Sequence, residues 1–221
     1  MKDRAVAARI GVVIYDGVEP IDIGGTVGVV SMASRVLPGL AAVTIAAFAG
    51  SVRLAGGLTV LASHGFADAP ACDVVVVCGG PGWRAQVGDP AMLGFLRRQA
   101  PAQVAAVCTG ALILAAAGLL DGSPATTRRR AVGQEERTPL ELLAEFGANV
   151  QPREALVVDA GVVTGGGVSL AIDATLYLIG RLYGQAALNE VARVIEYDRA
   201  WEANQAALGI YTCSPQAPTK P

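Results

Sequence analysis

Cys108-Thr109-Gly110 joins a short apolar run, Val104 to Val107, to a run of helical composition, Ala111 to Ala117. A cysteine at a sharp strand-to-helix turn stands exposed above a sheet, as in the nucleophile elbow of hydrolases, and small neighbours permit the bend. The helix N-terminus would favour the thiolate, which is the nucleophilic form. The competing reading is a small buried hydrophobe, because free cysteine is among the most buried residue types. Gly79-Gly80-Pro81-Gly82 follows another apolar run. Its backbone N–H groups are placed either to meet developing negative charge or only to turn the chain. Asp22 sits among apolar neighbours in Glu19-Pro20-Ile21-Asp22-Ile23-Gly24-Gly25. It reads as a helix N-cap or as a carboxyl facing the thiolate. In the second case two acids share one apolar pocket, one of them keeps a proton, and the carboxyl pKa rises.

These residues need elements to hold them. Arg9 to Tyr15 reads as a buried strand, with Asp16-Gly17 as its turn and Ile21 to Ala33 as a helix weakened by Gly24, Gly25 and Gly28. Val43 to Phe48 is a second strand, and Gly56-Gly57 opens a hairpin whose return arm is Leu58 to Leu61. Cys72 to Cys78 is β-branched throughout, which suits the centre of a parallel sheet. Pro90 to Gln99 is a helix with proline in its first turn. Pro139 to Phe146 is another, capped by Thr138 and ended at Gly147. Leu156 to Thr164 reads as a hairpin, Ser169 to Tyr183 as a long helix, and Ala186 to Tyr197 as a second. Pro215 to Pro221 is a polar, proline-rich tail. Strands alternating with helices predict an α/β fold with a mostly parallel sheet flanked by helices. One domain over residues 1–221 is expected, with 198–221 as a partly irregular C-terminal extension. In such sheets sites form at the carboxyl ends of the strands. The turn before Asp22, the Gly79–Gly82 turn and Cys108 are three such ends.

Only 16% of the 221 residues are charged, against 52% hydrophobic and 5% aromatic. That composition excludes a disordered chain. The formal net charge of -2, with no basic face, excludes an ordinary nucleic-acid binder. No charge occurs from Gln99 to Leu120, a stretch long enough for a bilayer. Pro101, the Cys108-Thr109-Gly110 turn and Gly118 break it into a strand and a helix instead. No secretory signal is visible at the N-terminus, so the cytoplasm is the expected compartment. Cys72, Cys78, Cys108 and Cys213 form no C-x-x-C pair, and His64 is the single histidine. A zinc site has little raw material, and disulfides are not expected. Cys72 and Cys78 read as packing residues, Cys213 as a tail thiol, and His64 as a loop residue. Arg128 to Glu141 is the most charged segment, and a charge run of this kind ordinarily faces water.

Taken together, Tyr15 to Asp22, Phe66-Ala67-Asp68, Cys78 to Gly82, Val107 to Leu112, Ala116 to Gly122, Ala125-Thr126-Thr127, and Thr164 to Gly167 with Ile172-Asp173 resemble the ThiJ/PfpI superfamily. The matches run from about Arg9 to Tyr197. Within the superfamily the similarity points to the isocyanide hydratases. The resemblance implies a flavodoxin-like, class I glutamine amidotransferase-like sandwich with a cysteine nucleophile elbow, no metal or organic cofactor, a small-molecule substrate and a homodimer. It gives Cys108 the nucleophile role and Asp22 the proton shuttle. Thr109 helps hold substrate or water, and the backbone N–H groups of Gly80 and Thr109 flank the reacting atom. Gly79 and Pro81 belong to the pocket wall. The implied activity is a lyase reaction, hydration of an isocyanide to an N-formamide. The sequence departs from the family where members commonly read T-T-H-W, because Thr127 is followed here by Arg128-Arg129-Arg130. A Cys–His dyad built on that histidine is therefore missing. Arg128 and Arg129 at the mouth either bind a substrate carboxylate or phosphate or face water. Two other functions fit the scaffold. One is different cysteine chemistry on an anionic small molecule, glyoxalase-like or biosynthetic. The other is a ligand-sensing domain, like those of regulators that carry a helix-turn-helix module after it. The residues after Tyr197 look too few and too little basic for that module.

Overall fold

β-branched and alanine-rich runs make the strands of this chain, and helices fill the intervals. The computed structural model describes residues 7–213. β1 (Ala8–Val13) leads through the Asp16-Gly17 turn to α1 (Pro20–Ile23), a π-helical turn (Gly24–Gly28) and α2 (Val29–Ala33). Next come β2 (Leu40–Ala46), the hairpin arms β3 (Gly50–Arg53) and β4 (Thr59–Ala62), and the short β5 (His64–Gly65). β6 (Val74–Val77), α3 (Trp83–Gln86), α4 (Pro90–Arg97), β7 (Val104–Val107) and α5 (Gly110–Ala116) form the middle. β8 (Pro124–Ala125), α6 (Pro139–Phe146) and β9 (Gln151–Pro152) follow, then β10 (Val157–Asp159) and β11 (Val163–Gly165). α7 (Ala171–Tyr183), α8 (Gln185–Val194), α9 (Asp198–Leu208) and β12 (Ile210–Thr212) complete it.

Eight strands form one sheet in the order β12-β10-β11-β7-β6-β1-β2-β5. Every pairing in it is parallel except β10 with β11, which is an antiparallel hairpin. β6 and β7 are buried at every position, so both faces of the sheet's centre are covered, as parallel strands require. α4, α5 and α6 pack together, and α2, the π-helical turn, α7 and α8 form a second packed group. The core runs from Ile10 and Ile14 through Leu112, Ile113 and Leu114 to Leu176 and Ile179, all buried. No helix among the described residues is long and apolar enough to cross a membrane. The Gln99–Leu120 stretch divides as its breakers predict, into β7, a turn and α5.

The N-terminal helix is continuous but irregular. Glu19, not Asp22, occupies its N-cap, and no side chain caps it. Asp22 lies one turn in and is buried, which corrects the capping reading. The ladder then slips into the π form at Gly24–Gly28, where the Thr26 hydroxyl donates to the carbonyls of Asp22 at 2.9 Å and Ile23 at 3.2 Å. Glycine costs helix stability, and a π segment within an α-helix frequently marks a functional position. Gly25 is required by packing, because a Cβ there would stand 2.7 Å from Ala171 Cβ.

At the other end, α9 and β12 are regular elements, and β12 pairs with β10. Of the segment read as a partly irregular extension, the described part forms α9 and β12, and β12 joins the sheet. Their sequence carries little apolar periodicity, and Trp201 is the buried residue of α9. The proline-rich tail, Pro215 to Pro221, lies outside the described residues. Asp173, in the first turn of α7, anchors this end: Tyr197 Oη donates to its Oδ2 at 2.9 Å and Asn204 Nδ2 donates at 3.2 Å.

Candidate active site

β11, β7, β6 and β1 are four neighbouring parallel strands, so their carboxyl ends open on one side of the sheet. After β1 the chain reaches Asp22, after β6 the Gly79–Gly82 turn, after β7 Cys108, and after β11 the Gly165–Gly167 loop and Val168. A cavity of about 460 Å³ is lined there by Glu19, Gly80, Pro81, Trp83, Cys108, Thr109, Arg128, Val132, Glu135 and Val168.

Cys108 holds a left-handed backbone conformation, φ +53°, which costs a non-glycine residue about 1–2 kcal/mol. Neighbouring groups impose it. Its N–H donates to the Gly166 carbonyl at 3.1 Å, and its carbonyl accepts the Thr127 hydroxyl at 2.6 Å. Only glycine fits the next turn, since a Cβ on Gly110 would lie 2.1 Å from the Val77 carbonyl oxygen. Val168 is also left-handed, φ +60°, an outlier for a β-branched residue. Strain of this kind gathers at functional sites.

The Asp22 carboxyl is fully buried. Its Oδ2 accepts the Gly79 N–H at 2.7 Å, while Oδ1 is buried and meets no hydrogen-bond partner at bonding distance. Burial pushes the carboxyl up to about 7; the Gly79 N–H opposes this, the Glu19 charge adds to it, and the Cys108 side chain and Arg128 lower it. The Cys108 side chain is thus one of the groups that act on the Asp22 carboxyl. Burial pushes the Cys108 thiol up to about 12, and the Asp22 charge adds to this against the N–H groups of Val168 and Thr109 and the Arg128 charge. Desolvation therefore works against the helix terminus at this sulfur.

Of the two backbone donors expected around the reacting atom, the Thr109 N–H is among the groups that lower the Cys108 pKa, after the Val168 N–H. The Gly80 N–H is instead held by the Thr109 hydroxyl at 2.9 Å. The Gly79–Gly82 turn is wedged against the loop before Asp22, with Glu19 N–H on the Gly79 carbonyl at 2.8 Å and Gly82 N–H on the Gly17 carbonyl at 3.1 Å. Gly80 has φ +139° and no room for a side chain. Pro81 lines the cavity and Gly79 serves through its N–H.

The arginine run separates. Arg128 is mostly covered, with 11% of its side chain exposed, and its Nη2 donates to both Glu135 carboxylate oxygens at 2.7 and 2.8 Å. It lines the cavity, so the solvated-loop reading fails for this residue. Arg129 turns away to Glu154 at 2.9 Å and is not among the lining residues. His64 is in the edge strand β5, beside Asp68. Cys78 is buried with Sγ 3.7 Å from the Thr26 hydroxyl, and Cys72 is partly buried. Among the described residues, no three His, Cys, Asp or Glu side chains group as metal ligands.

Sequence reasoning missed Trp83, Val132, Glu135 and Val168 in the cavity wall. Trp83 was legible as the residue directly after the Gly79–Gly82 turn, and it makes the pocket less aromatic-poor than the composition implies. Glu135 carries no signal until its pairing is seen.

A family model described as the DJ-1/PfpI family matches residues 8–180. An isonitrile hydratase of Pseudomonas putida is 32% identical over 194 residues, covering 87% of this chain and 79% of that protein. The HTH-type transcriptional regulator GbdR of Pseudomonas aeruginosa is 30% identical over 145 residues, covering 65% of this chain and 37% of the regulator. A crystal structure of a ThiJ/PfpI family protein from Pseudomonas syringae superposes with a TM-score of 0.73 at 29% identity, covering 87% of this chain and 76% of that one.

Proposed function

This chain belongs to the DJ-1/PfpI family, and from that premise we propose that it adds water to an isocyanide to give an N-formamide. The observation that carries the reading is a buried carboxyl with one unpartnered oxygen, Asp22 Oδ1, acting on a cysteine held in a left-handed strand-to-helix turn. The likeness to an isonitrile hydratase, isonitrile being a synonym of isocyanide, adds to it.

In this mechanism Cys108 is the nucleophile of an elbow and Asp22 its acid and base. At neutral pH the sulfur rests as a thiol, and the carboxyl, near its pKa of about 7, is available as carboxylate. As the sulfur attacks the terminal isocyanide carbon, its proton passes to Asp22. The carboxylic acid then returns that proton to the same carbon, leaving a thioimidate. Water adds its oxygen to the thioimidate carbon; one of its protons passes through Asp22 to the nitrogen, and the other, from the new hydroxyl, passes through Asp22 to the departing sulfur. The carbon–sulfur bond breaks, the formamide leaves, and the thiol is restored. One group donates and accepts in turn, which a carboxyl tuned near the working pH allows. Thr109 holds the Gly turn through its hydroxyl and offers its N–H at the sulfur. No metal or organic cofactor enters the scheme.

The proposal takes the chain as one domain working as a homodimer. Phe48, two residues before the β3–β4 hairpin, and Leu58 and Leu61 within it are well exposed, apolar surface that a second copy would cover; sedimentation equilibrium checks this. The decisive experiment incubates the protein with a simple alkyl isocyanide and looks for the formamide, beside Cys108→Ala and Asp22→Asn. Turnover lost in both variants supports the scheme. Turnover surviving Cys108→Ala overturns the thiol mechanism. Binding without turnover by the unaltered chain would instead favour a sensing domain, the reading that likeness to a regulator supports.

A further inference from the structure

Arg128 stands where a substrate carboxylate would most readily be bound, and it is the cation among the described residues that line the cavity. Yet its charge is already matched. Glu135 takes both of its oxygens to Arg128 Nη2, and Glu135 Oε2 also accepts the Val132 N–H at 2.9 Å. Partial burial would raise the Glu135 carboxyl, but the bonds from Arg128 and Val132 hold it below the usual carboxylate range. The Arg128 carbonyl in turn accepts the Leu140 N–H at 3.2 Å, and the Arg128 side chain also donates to the Arg130 carbonyl. The pair therefore closes residues 128–135 into a strap.

That strap is a partition. Val132 and Glu135 line the cavity over Cys108 and also a second one of about 480 Å³, with Arg84, Gln134, Glu136, Arg137 and Leu142 around it. An anion entering over Cys108 meets Glu19 and Glu135 as well as Arg128. To take the Nη2 edge of the guanidinium it must expel Glu135, leave that carboxylate half-buried without its partner, and undo the strap. Breaking a covered, doubly bonded charge pair is costly.

We propose that Glu135 is the specificity-determining residue of this cavity: by engaging Arg128 it makes the site accept uncharged substrates and turn away carboxylate-bearing ones. For the substrate itself, an uncharged isocyanide, the inference rests on the hydratase reading. The charge selection does not.

The first test therefore avoids turnover. Alkylation of Cys108 by neutral iodoacetamide and by anionic iodoacetate is followed by mass spectrometry of the Cys108 peptide, with each rate normalised to a free thiol. The unaltered protein is expected to react faster with iodoacetamide. Glu135→Gln frees the guanidinium and should raise the iodoacetate-to-iodoacetamide ratio about tenfold. Arg128→Met leaves Glu135 and Glu19 facing the cavity and should lower it. A strap that merely collapsed would move both variants in the same direction, and that result, or an unchanged ratio in Glu135→Gln, would overturn the proposal. The second test compares kcat/KM for isocyanoacetate and its methyl ester. The ester should be preferred, and Glu135→Gln should narrow the preference about tenfold. If neither compound is hydrated the hydratase reading fails, while the alkylation ratio still decides the role of Glu135.

Discussion

Replacing Asp22 by asparagine should stabilise the protein at alkaline pH and, under the proposed mechanism, abolish isocyanide turnover. The carboxyl is fully buried and has its pKa raised from 3.8 to about 7. Between those values the folded chain binds a proton that the unfolded chain has released, so stability falls as pH rises. Below about pH 4 the acid is neutral in both states and costs nothing. Above about pH 8 it is ionised in both, and the folded state carries the full burden. Roughly three pKa units correspond to about 4 kcal/mol, an upper estimate for one buried group. Asparagine keeps the shape and an oxygen for the Gly79 N–H, and it does not titrate. Urea unfolding of both proteins at pH 4, 6 and 8 should show the variant gaining by up to about 4 kcal/mol relative to the parent across that range. Asp173, raised to about 6 by burial against its Tyr197 and Asn204 bonds, titrates in both proteins and drops out of the difference. Cys108, at about 12, lies beyond the window. A difference constant from pH 4 to pH 8 would refute the reasoning, because the carboxyl would then not be held neutral by its site.

For turnover of an alkyl isocyanide, kcat/KM should rise with pH through about 7 as Asp22 ionises, and a flat profile from pH 5 to 9 would exclude that carboxylate as the base. Gly25→Ala should cost about 1–3 kcal/mol, because its Cβ meets Ala171 Cβ at 2.7 Å and the Ile172 nitrogen at 3.0 Å. Its neighbour Gly24 has helical dihedrals, φ -59° and ψ -42°, and nothing within 4 Å. Gly24→Ala should therefore gain about 0.5–1 kcal/mol. Thermal unfolding measures both, and equal effects would show that packing against α7 does not decide the Gly25 position. Gly110→Ala drives a Cβ to 2.1 Å from the Val77 carbonyl oxygen and must displace Cys108. Alkylation of Cys108 by iodoacetamide should change with it, and an unaltered rate would show that the turn does not set the thiol's position.

The sheet's centre was legible because its strands are covered on both faces. Val74–Val77 and Val104–Val107 admit no polar residue, and no other element type suits runs so short between glycine turns. The Thr138 cap was legible for a local reason, and the structure extends it to a capping box in which Thr138 and Glu141 exchange bonds across three residues. The three strand ends that meet at the cavity followed from topology alone. What the sequence hid depends on partners distant in the chain. Glu135 looks like any charged loop residue until Arg128 folds over it, and Arg129 looks identical to Arg128 until Glu154 draws it outward. α9 escaped notice because it buries little beyond Trp201. The upward push on the Cys108 pKa was hidden because the helix terminus is local and visible, whereas desolvation is set by the whole surrounding fold.

The π-helical turn after Asp22 sets a phase. An α-helix advances about 100° per residue, and the π form accommodates one residue more before the ladder resumes. Everything upstream of Gly24–Gly28 is therefore rotated about the helix axis relative to everything downstream. Val29, Val30 and Ala33 are buried on one side of that slip, and on the other the buried Asp22 carboxyl accepts the Gly79 N–H. Deleting a single glycine would restore an ordinary helix, leave α2 packed, and swing the Asp22 carboxyl by about a quarter turn. The segment acts here as an angular spacer, so its length, together with the packing that requires Gly25, sets the direction of the Asp22 carboxyl toward the Gly79 N–H.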